Sequence, residues 1–309
     1  MTPWDVSVAL PALGVSANLR FDSESSAALV RDNVVGRISG ARLPPAEWRP
    51  QPPDSTPPQI RVQVEDRGSD VRISYTGVLD IAPYVVDKAG LHWDFYSVIT
   101  ALIVPRLIER DVVAFHAAAL RTATGTVLLP GTSGAGKSSV AFAALAAGVE
   151  VVASELAFVR RGGLIAGNSL LTIDAGALSR FHLPIPAEAR EAAGRIALPA
   201  RRVEEPLPVS RVVFPRVSLG GLHIRRISAR RARMLLFENA IGEMPASQLV
   251  AHETVPIGVE LSRHMQQVIA AQVVRLAGDN SVILDGSPAD IVRYIVSANP
   301  GVDSAVRRL

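Results

Sequence analysis

Apolar and polar residues partly alternate over 6–10, 17–21, 60–64 and 71–75, the period of half-buried strands. The first 90 residues therefore read as strands joined by loops. Residues 43–58 hold seven of the chain's 22 prolines and predict an extended, irregular connector. The spacing changes over 92–108, where Phe95, Val98, Ile99, Leu102 and Leu107 can share one helical face. Pro105 is expected to kink or shorten that helix near its end.

Residues 112–120 and 126–129 flank a turn through Gly125 and predict a hairpin. A short helix over 139–147 follows, stopped by Gly148, then a strand over 150–153 and a second hairpin from 156–159 to 164–166. The last third predicts a helix over 261–276 ended by Gly278, a strand over 281–284, and a final helix with Ser287 as cap and Pro288 in its first position. Strands and helices alternate from about residue 112 onward, so this half reads as α/β. The expected architecture is a mixed sheet with flanking helices over 91–309, preceded by a smaller β-rich accessory region over 1–90.

Apolar residues make up 48% of the 309 and charged residues 20%, enough to bury a core and unlike a disordered chain. The longest apolar runs are about ten residues, short of the roughly 18 a bilayer requires, so no membrane association is expected. The opening Met1-Thr2-Pro3-Trp4-Asp5 lacks the basic and apolar blocks of a secretory signal. With no cysteine, disulfides, zinc–thiolate sites and cysteine nucleophiles are excluded, and a cytoplasmic protein is the expectation. Net charge is only +3, and 30 of the 32 basic residues are arginine. The only lysines are Lys88 and Lys137, which makes a lysine inside a motif informative.

Gly131-Thr132-Ser133-Gly134-Ala135-Gly136-Lys137-Ser138 satisfies G-x-x-x-x-G-K-[ST] without a mismatch. Glycines let the backbone wrap phosphates with its N–H groups inward, and the following helix adds its positive end. Lys137 is suited to the β- and γ-phosphates and the Ser138 hydroxyl to a magnesium ion; Ser139 follows on the helix. At this composition the pattern arises by chance about once in a thousand such chains. An apolar strand enters the motif and an Ala-rich helix leaves it, so nucleotide binding is the reading, with ATP and Mg2+ as cofactors.

The flanks narrow the class. Phe115-His116-Ala117-Ala118-Ala119, then residues 127–139, then Val151-Val152-Ala153-Ser154-Glu155-Leu156, together resemble the HPr kinase/phosphorylase family. The likeness is closest to divergent relatives that include kinases acting on serine in ribosomal precursor peptides such as lasso peptides. It is specific over about 112–160, extends at fold level to the C-terminus, and leaves out the first 90 residues. The segment that true HPr kinases carry after their acidic pair has no counterpart, so phosphorylation of HPr is not implied. By the resemblance, Lys137 and Ser138 take the P-loop roles and His116 lies near the transferred phosphate. The family's two neighbouring acids, one a general base and one a metal ligand, read Ser154-Glu155 here. Glu155 can hold magnesium, and the first acid is absent. The family also implies a homo-oligomer.

A serine hydroxyl cannot accept a proton as a carboxylate does, and such help is typically worth about 10²–10⁴-fold. Three readings follow: Glu155 is itself the base, another carboxylate such as Asp174 or Glu243 comes in from elsewhere, or the protein binds nucleotide without transferring phosphate. Asp174 and Asp285 each end an apolar run, where turn or cap roles are the first reading. His92, His182, His223, His252 and His264 show no metal-ligand spacing. Arg225, Arg226, Arg230, Arg231 and Arg233 fall within nine positions. A solvated face is the first reading of that run and contact with an anionic substrate or with nucleotide phosphates the second. No aromatic residue adjoins it, so nucleic acid is not expected. The expected function is an ATP-dependent kinase acting on a hydroxyl, first a serine of a peptide or protein. The alternatives are a regulatory or scaffold module with weakened catalysis, and a kinase of a small-molecule alcohol.

Overall fold

The computed structural model describes residues 4–40, 43–51, 57–168, 170–192, 195–199, 201–242, 249–252, 254–257, 261–278 and 281–297. The molecule is α/β with mixed sheets and helices and has a β-rich N-terminal region. It divides into two compact units: residues 1–113 with 241–268, and residues 114–240 with 269–309.

In the first unit β1 (Asp5–Leu10), β2 (Val15–Phe21), β3 (Glu47–Pro50), β4 (Ile60–Arg67), β5 (Asp70–Gly77) and β6 (Ile81–Asp87) form one sheet in the order β3-β1-β2-β4-β5-β6. Alternation sets its faces, as in β1, where Val6, Val8 and Leu10 are buried and the residues between them half-buried. The parallel pairing of β2 with β4 requires a crossover, supplied partly by α1 (Glu24–Val30), a π-helical turn Arg31–Val35 and α2 (Gly36–Gly40). This helical stretch was not anticipated. Ala27, Val30, Val34 and Ile38 bury one stripe, but the serines before them and Gly36 among them mask the period. The proline-rich connector is also less irregular than expected, because β3 lies within it and pairs with β1.

Helix α3 (Leu91–Glu109) runs past Pro105 to Glu109. The proline therefore does not shorten the helix, which extends one residue past the predicted span at each end. Nor is one face alone buried: Tyr96, Thr100, Ile103 and Val104 are shielded along with Phe95, Val98, Ile99, Leu102 and Leu107. A helix apolar all round is a buried helix.

The second unit carries β7 (Val112–Thr122), β8 (Gly125–Pro130), α4 (Lys137–Ala146), β9 (Glu150–Ala153), β10 (Leu156–Arg160), β11 (Gly163–Gly167), β12 (Leu170–Asp174), α5 (Ala175–Arg180), β13 (Arg190–Ala192), β14 (Arg195–Pro199), β15 (Leu207–Val217), β16 (His223–Arg226) and α6 (Ala229–Gly242). The short ladder of β17 (Leu249–Val250) and β18 (Val255–Pro256) belongs to the first unit. Then follow α7 (Arg263–Leu276), β19 (Val282–Gly286) and α8 (Pro288–Ser297). The main sheet has the order β11-β10-β7-β8-β15-β19-β16, with β9 also beside β7. Leu164 of β11 returns to Leu207 at the start of β15, so the sheet curls back on itself. Within it β8, β15 and β19 run parallel. Leu129 and Leu284 of this parallel part share a core with Val140 and Phe142 of α4 and Ile291 and Ile295 of α8. Ser287 caps α8 as read, accepting from the Asp290 amide at 3.2 Å. No helix among the described residues is long and apolar enough to cross a membrane.

Candidate functional site

β8 delivers a buried apolar run, Val127-Leu128-Leu129, to the carboxyl end of the parallel strands, where ligands of α/β sheets bind. The chain then turns through Gly131–Gly136 into α4. Gly136 adopts φ +91°, and a Cβ there would lie 2.2 Å from Val217 Cγ2 at the end of β15. Only glycine serves both the backbone and the packing at that position. The Val217 amide donates to the Ala135 carbonyl at 3.2 Å, pinning the loop to β15. Thr132, Ser133 and Gly134 are exposed on the outer side of the loop. Lys137 is only 5% exposed, and its ammonium donates to the carbonyls of Gly131 (2.7 Å) and Thr132 (2.9 Å). The cation is thus drawn into the loop rather than out to solvent. The N-cap of α4 is Gly136, which has no side chain to cap the first-turn amides. Half-buried Ser138 and buried Ser139 occupy that turn.

The neighbouring strands bring His116 and Glu155 to the same end. The Gly131 amide donates to the His116 carbonyl at 3.2 Å, and the Ala117 amide to the Glu155 carbonyl at 3.1 Å. His116 therefore follows the first P-loop glycine across the β7–β8 ladder, and Glu155 lies beside β7 at the same level. Both side chains are partly exposed. Asn239 on α6, unnoticed in the sequence, donates to the His116 carbonyl at 2.9 Å and lies 3.4 Å from the Gly131 carbonyl. One amide thus ties α6 to β7 and to the start of the loop.

A second asparagine builds the turn that presents Glu155. Asn168 is 2% exposed, and its Oδ1 accepts from the amides of Ser154 (2.9 Å) and Glu155 (3.1 Å), while its Nδ2 donates to the Leu170 carbonyl. Ser154, also 2% exposed, has its hydroxyl 3.4 Å from Asn168 Nδ2. Position 154 therefore faces inward. Neither asparagine has a spacing signature that a sequence could reveal.

The other carboxylates divide. Asp174 caps α5, accepting from the Ala177 amide at 3.1 Å. Asp285, next to the end of β19, accepts from the hydroxyl of Ser218 at 2.7 Å, one residue beyond the Val217 contact with the loop. Glu243 lies outside the described residues. Among the described residues no group of three or more His, Asp and Glu side chains is arranged to hold a metal. The oxygens of Ser138 and Glu155 are the hard donors magnesium accepts, and it commonly fills its remaining positions with phosphate and water. No family model matches the chain, and no curated protein matches it.

Proposed function

We propose that this chain is an ATP-dependent kinase with a P-loop core of the HPr kinase type, which transfers the γ-phosphate to a hydroxyl, first of all a serine of a peptide or protein. The observation that carries the reading is the conjunction of motif and geometry. A complete G-x-x-x-x-G-K-S sequence spans a buried strand, a glycine loop and a helix start with a glycine N-cap, and its lysine ammonium is held within the loop.

The loop amides and the α4 start bind the phosphates, and Lys137 exchanges its carbonyl partners for phosphate oxygens. Ser138 and Glu155 hold magnesium, which when bound neutralises charge on the phosphates. The acceptor oxygen bonds to the γ-phosphorus as the bond to the β-phosphate oxygen breaks, leaving ADP, while the hydroxyl proton passes to a carboxylate. Glu155, whose carbonyl accepts from the Ala117 amide beside the start of the loop, is the carboxylate assigned that role. His116 lines the site beside the first glycine. Such transfer depends mainly on positioning and electrostatics, which this constellation supplies.

A nucleotide-binding regulatory module is the second reading, favoured by one observation: Ser154 is turned into the Asn168 network, so Glu155 has no acidic partner on its turn. Transfer of label from γ-labelled ATP with magnesium into an extract of the source cells, divided into peptide and small-molecule fractions, separates the readings. Label in the peptide fraction that vanishes with Lys137→Ala supports the kinase. Label in the small-molecule fraction moves the acceptor to an alcohol metabolite. ATP binding with no label in either fraction favours the module.

A further inference from the structure

Asn239 lies near the end of α6, a helix whose buried stripe is Ala232, Leu236 and Ala240. Those apolar residues already hold the helix, so a polar side chain is not needed for that purpose. The amide also carries an unmet requirement: its Oδ1 is buried and has no hydrogen-bond partner among the described residues. An apolar side chain of similar size would leave no acceptor unsatisfied there. Turning the amide over would not help, since Oδ1 would then take the place of Nδ2, 2.9 Å from the His116 carbonyl oxygen. What keeps an asparagine at this position is therefore the work of its Nδ2.

Nδ2 donates to two carbonyls, those of His116 at 2.9 Å and Gly131 at 3.4 Å. An amide nitrogen carries two N–H groups, so it can serve both at once. The Gly131 carbonyl also accepts from the Lys137 ammonium at 2.7 Å. It thus stands between two side-chain donors, one a cation suited to phosphate and the other an amide fixed on a helix. A cation that turns to phosphate oxygens leaves the carbonyls it held, and a carbonyl deprived of its donor is unfavourable where water is scarce. Thr132, the other residue whose carbonyl holds Lys137, is exposed, and water can replace the lysine there. Gly131 is half-buried.

We propose that Asn239 is a positioning residue of the nucleotide site, its Nδ2 keeping the Gly131 carbonyl bonded when the Lys137 ammonium leaves it for phosphate. The inference rests on the nucleotide-binding reading of the loop and adds α6 to the elements that build the site. Only hydrogen bonds change: Lys137 gives up a carbonyl oxygen for a phosphate oxygen, and Asn239 keeps the carbonyl the two had shared. Without the amide, the empty loop still has its lysine contacts, while the occupied loop lacks a donor. Asn239 therefore favours the occupied state over the empty one.

The test is isothermal titration of ATP with magnesium into the full chain, for the wild type, Asn239→Leu, Lys137→Ala and the double variant, each checked for folding by circular dichroism. Leucine is close to asparagine in size and removes the donor. In the wild-type background Asn239→Leu should weaken binding at least about fivefold, the lower end of what an unsatisfied carbonyl costs. In Lys137→Ala the Gly131 carbonyl has no lysine to lose, so adding Asn239→Leu should change affinity by less than about twofold. A residue that merely shaped the loop would weaken binding by the same factor in both backgrounds. Asn239→Ala, which a helix accepts readily, carries the same comparison if the leucine variant does not fold. Unchanged affinity in the single variant, or the same loss in both backgrounds, overturns the proposal and leaves nucleotide binding standing. No binding to the wild type overturns the nucleotide reading and this inference with it.

Discussion

At the scale of single residues, the loop tolerates little change where two constraints coincide. Gly136 combines φ +91° with a Cβ position already filled by Val217, so Gly136→Ala meets both backbone strain and a clash. We expect a loss of about 1–3 kcal/mol, read by urea denaturation, together with loss of nucleotide affinity. Val217→Ala combined with Gly136→Ala should restore little of it, since the remaining Val217 Cβ also clashes with the added carbon and the backbone strain persists. Asn168→Ala removes the acceptor for two amides on the Glu155 turn and should cost about 2–4 kcal/mol. A loss below about 0.5 kcal/mol would show that water replaces the asparagine at no cost. The glycine-rich loop between β8 and α4 was legible because glycines and a lysine at fixed spacing end an apolar run and open a helical one. Asn239 and the Ser218–Asp285 pair were not, because each acts on a partner far away in sequence: 108 residues separate Asn239 from Gly131. Asn168 acts on amides 13 and 14 residues back, a spacing that no local motif marks.

At the scale of elements, the second unit follows its sequence over 112–166 and again over 281–297, whereas β12, α5, β13, β14, the central strand β15, β16 and α6 had no counterpart in the sequence reading. The predicted strand over 150–153 is β9 itself, and the helix predicted over 139–147 starts two residues earlier, at Lys137, and ends at Ala146. Helix α6 escaped notice because its buried stripe, Ala232, Leu236 and Ala240, is narrow and mostly small, while arginines dominate its opening. Helix α3 buries a carboxyl: Asp94 is 5% exposed and accepts from the Ala251 amide at 3.0 Å, holding a turn in which Ala251 and His252 both have positive φ. Burial pushes the Asp94 carboxyl above the ordinary carboxylate range, against the lowering by that amide and by nearby His252. Folding therefore takes up a proton between the ordinary value and the raised one, and stability falls as pH rises through that window. Asp94→Asn keeps an acceptor for Ala251 and removes the charge, so the contribution of this site to the slope should vanish. Urea denaturation at a series of acidic pH values reads this, and an unchanged slope in the variant would contradict it.

At the scale of the whole molecule, the chain crosses from the first unit to the second at residue 113, returns over 241–268, and leaves again. A discontinuous unit has no local signature, since each crossing is set by packing between distant segments. The parallel strands β8, β15 and β19 likewise come from three separate stretches, and their order follows from the completed sheet rather than from any one of them. All the P-loop residues, with His116, Glu155 and Asn239, belong to the second unit. Nucleotide at a hundredfold excess over its Kd should stabilise that unit by about 2.7 kcal/mol. Calorimetric melting reads this as an upward shift of its transition.

Nucleotide binding at the P-loop is the claim on which the rest depends, and isothermal titration of ATP with magnesium into the wild-type chain and Lys137→Ala tests it most directly. Circular dichroism confirms that the variant is folded. The account predicts one nucleotide per chain for the wild type and at least about a tenfold weaker affinity for the variant, whose phosphates lose their buried cation. No binding to the wild type, or equal binding to both, would contradict it.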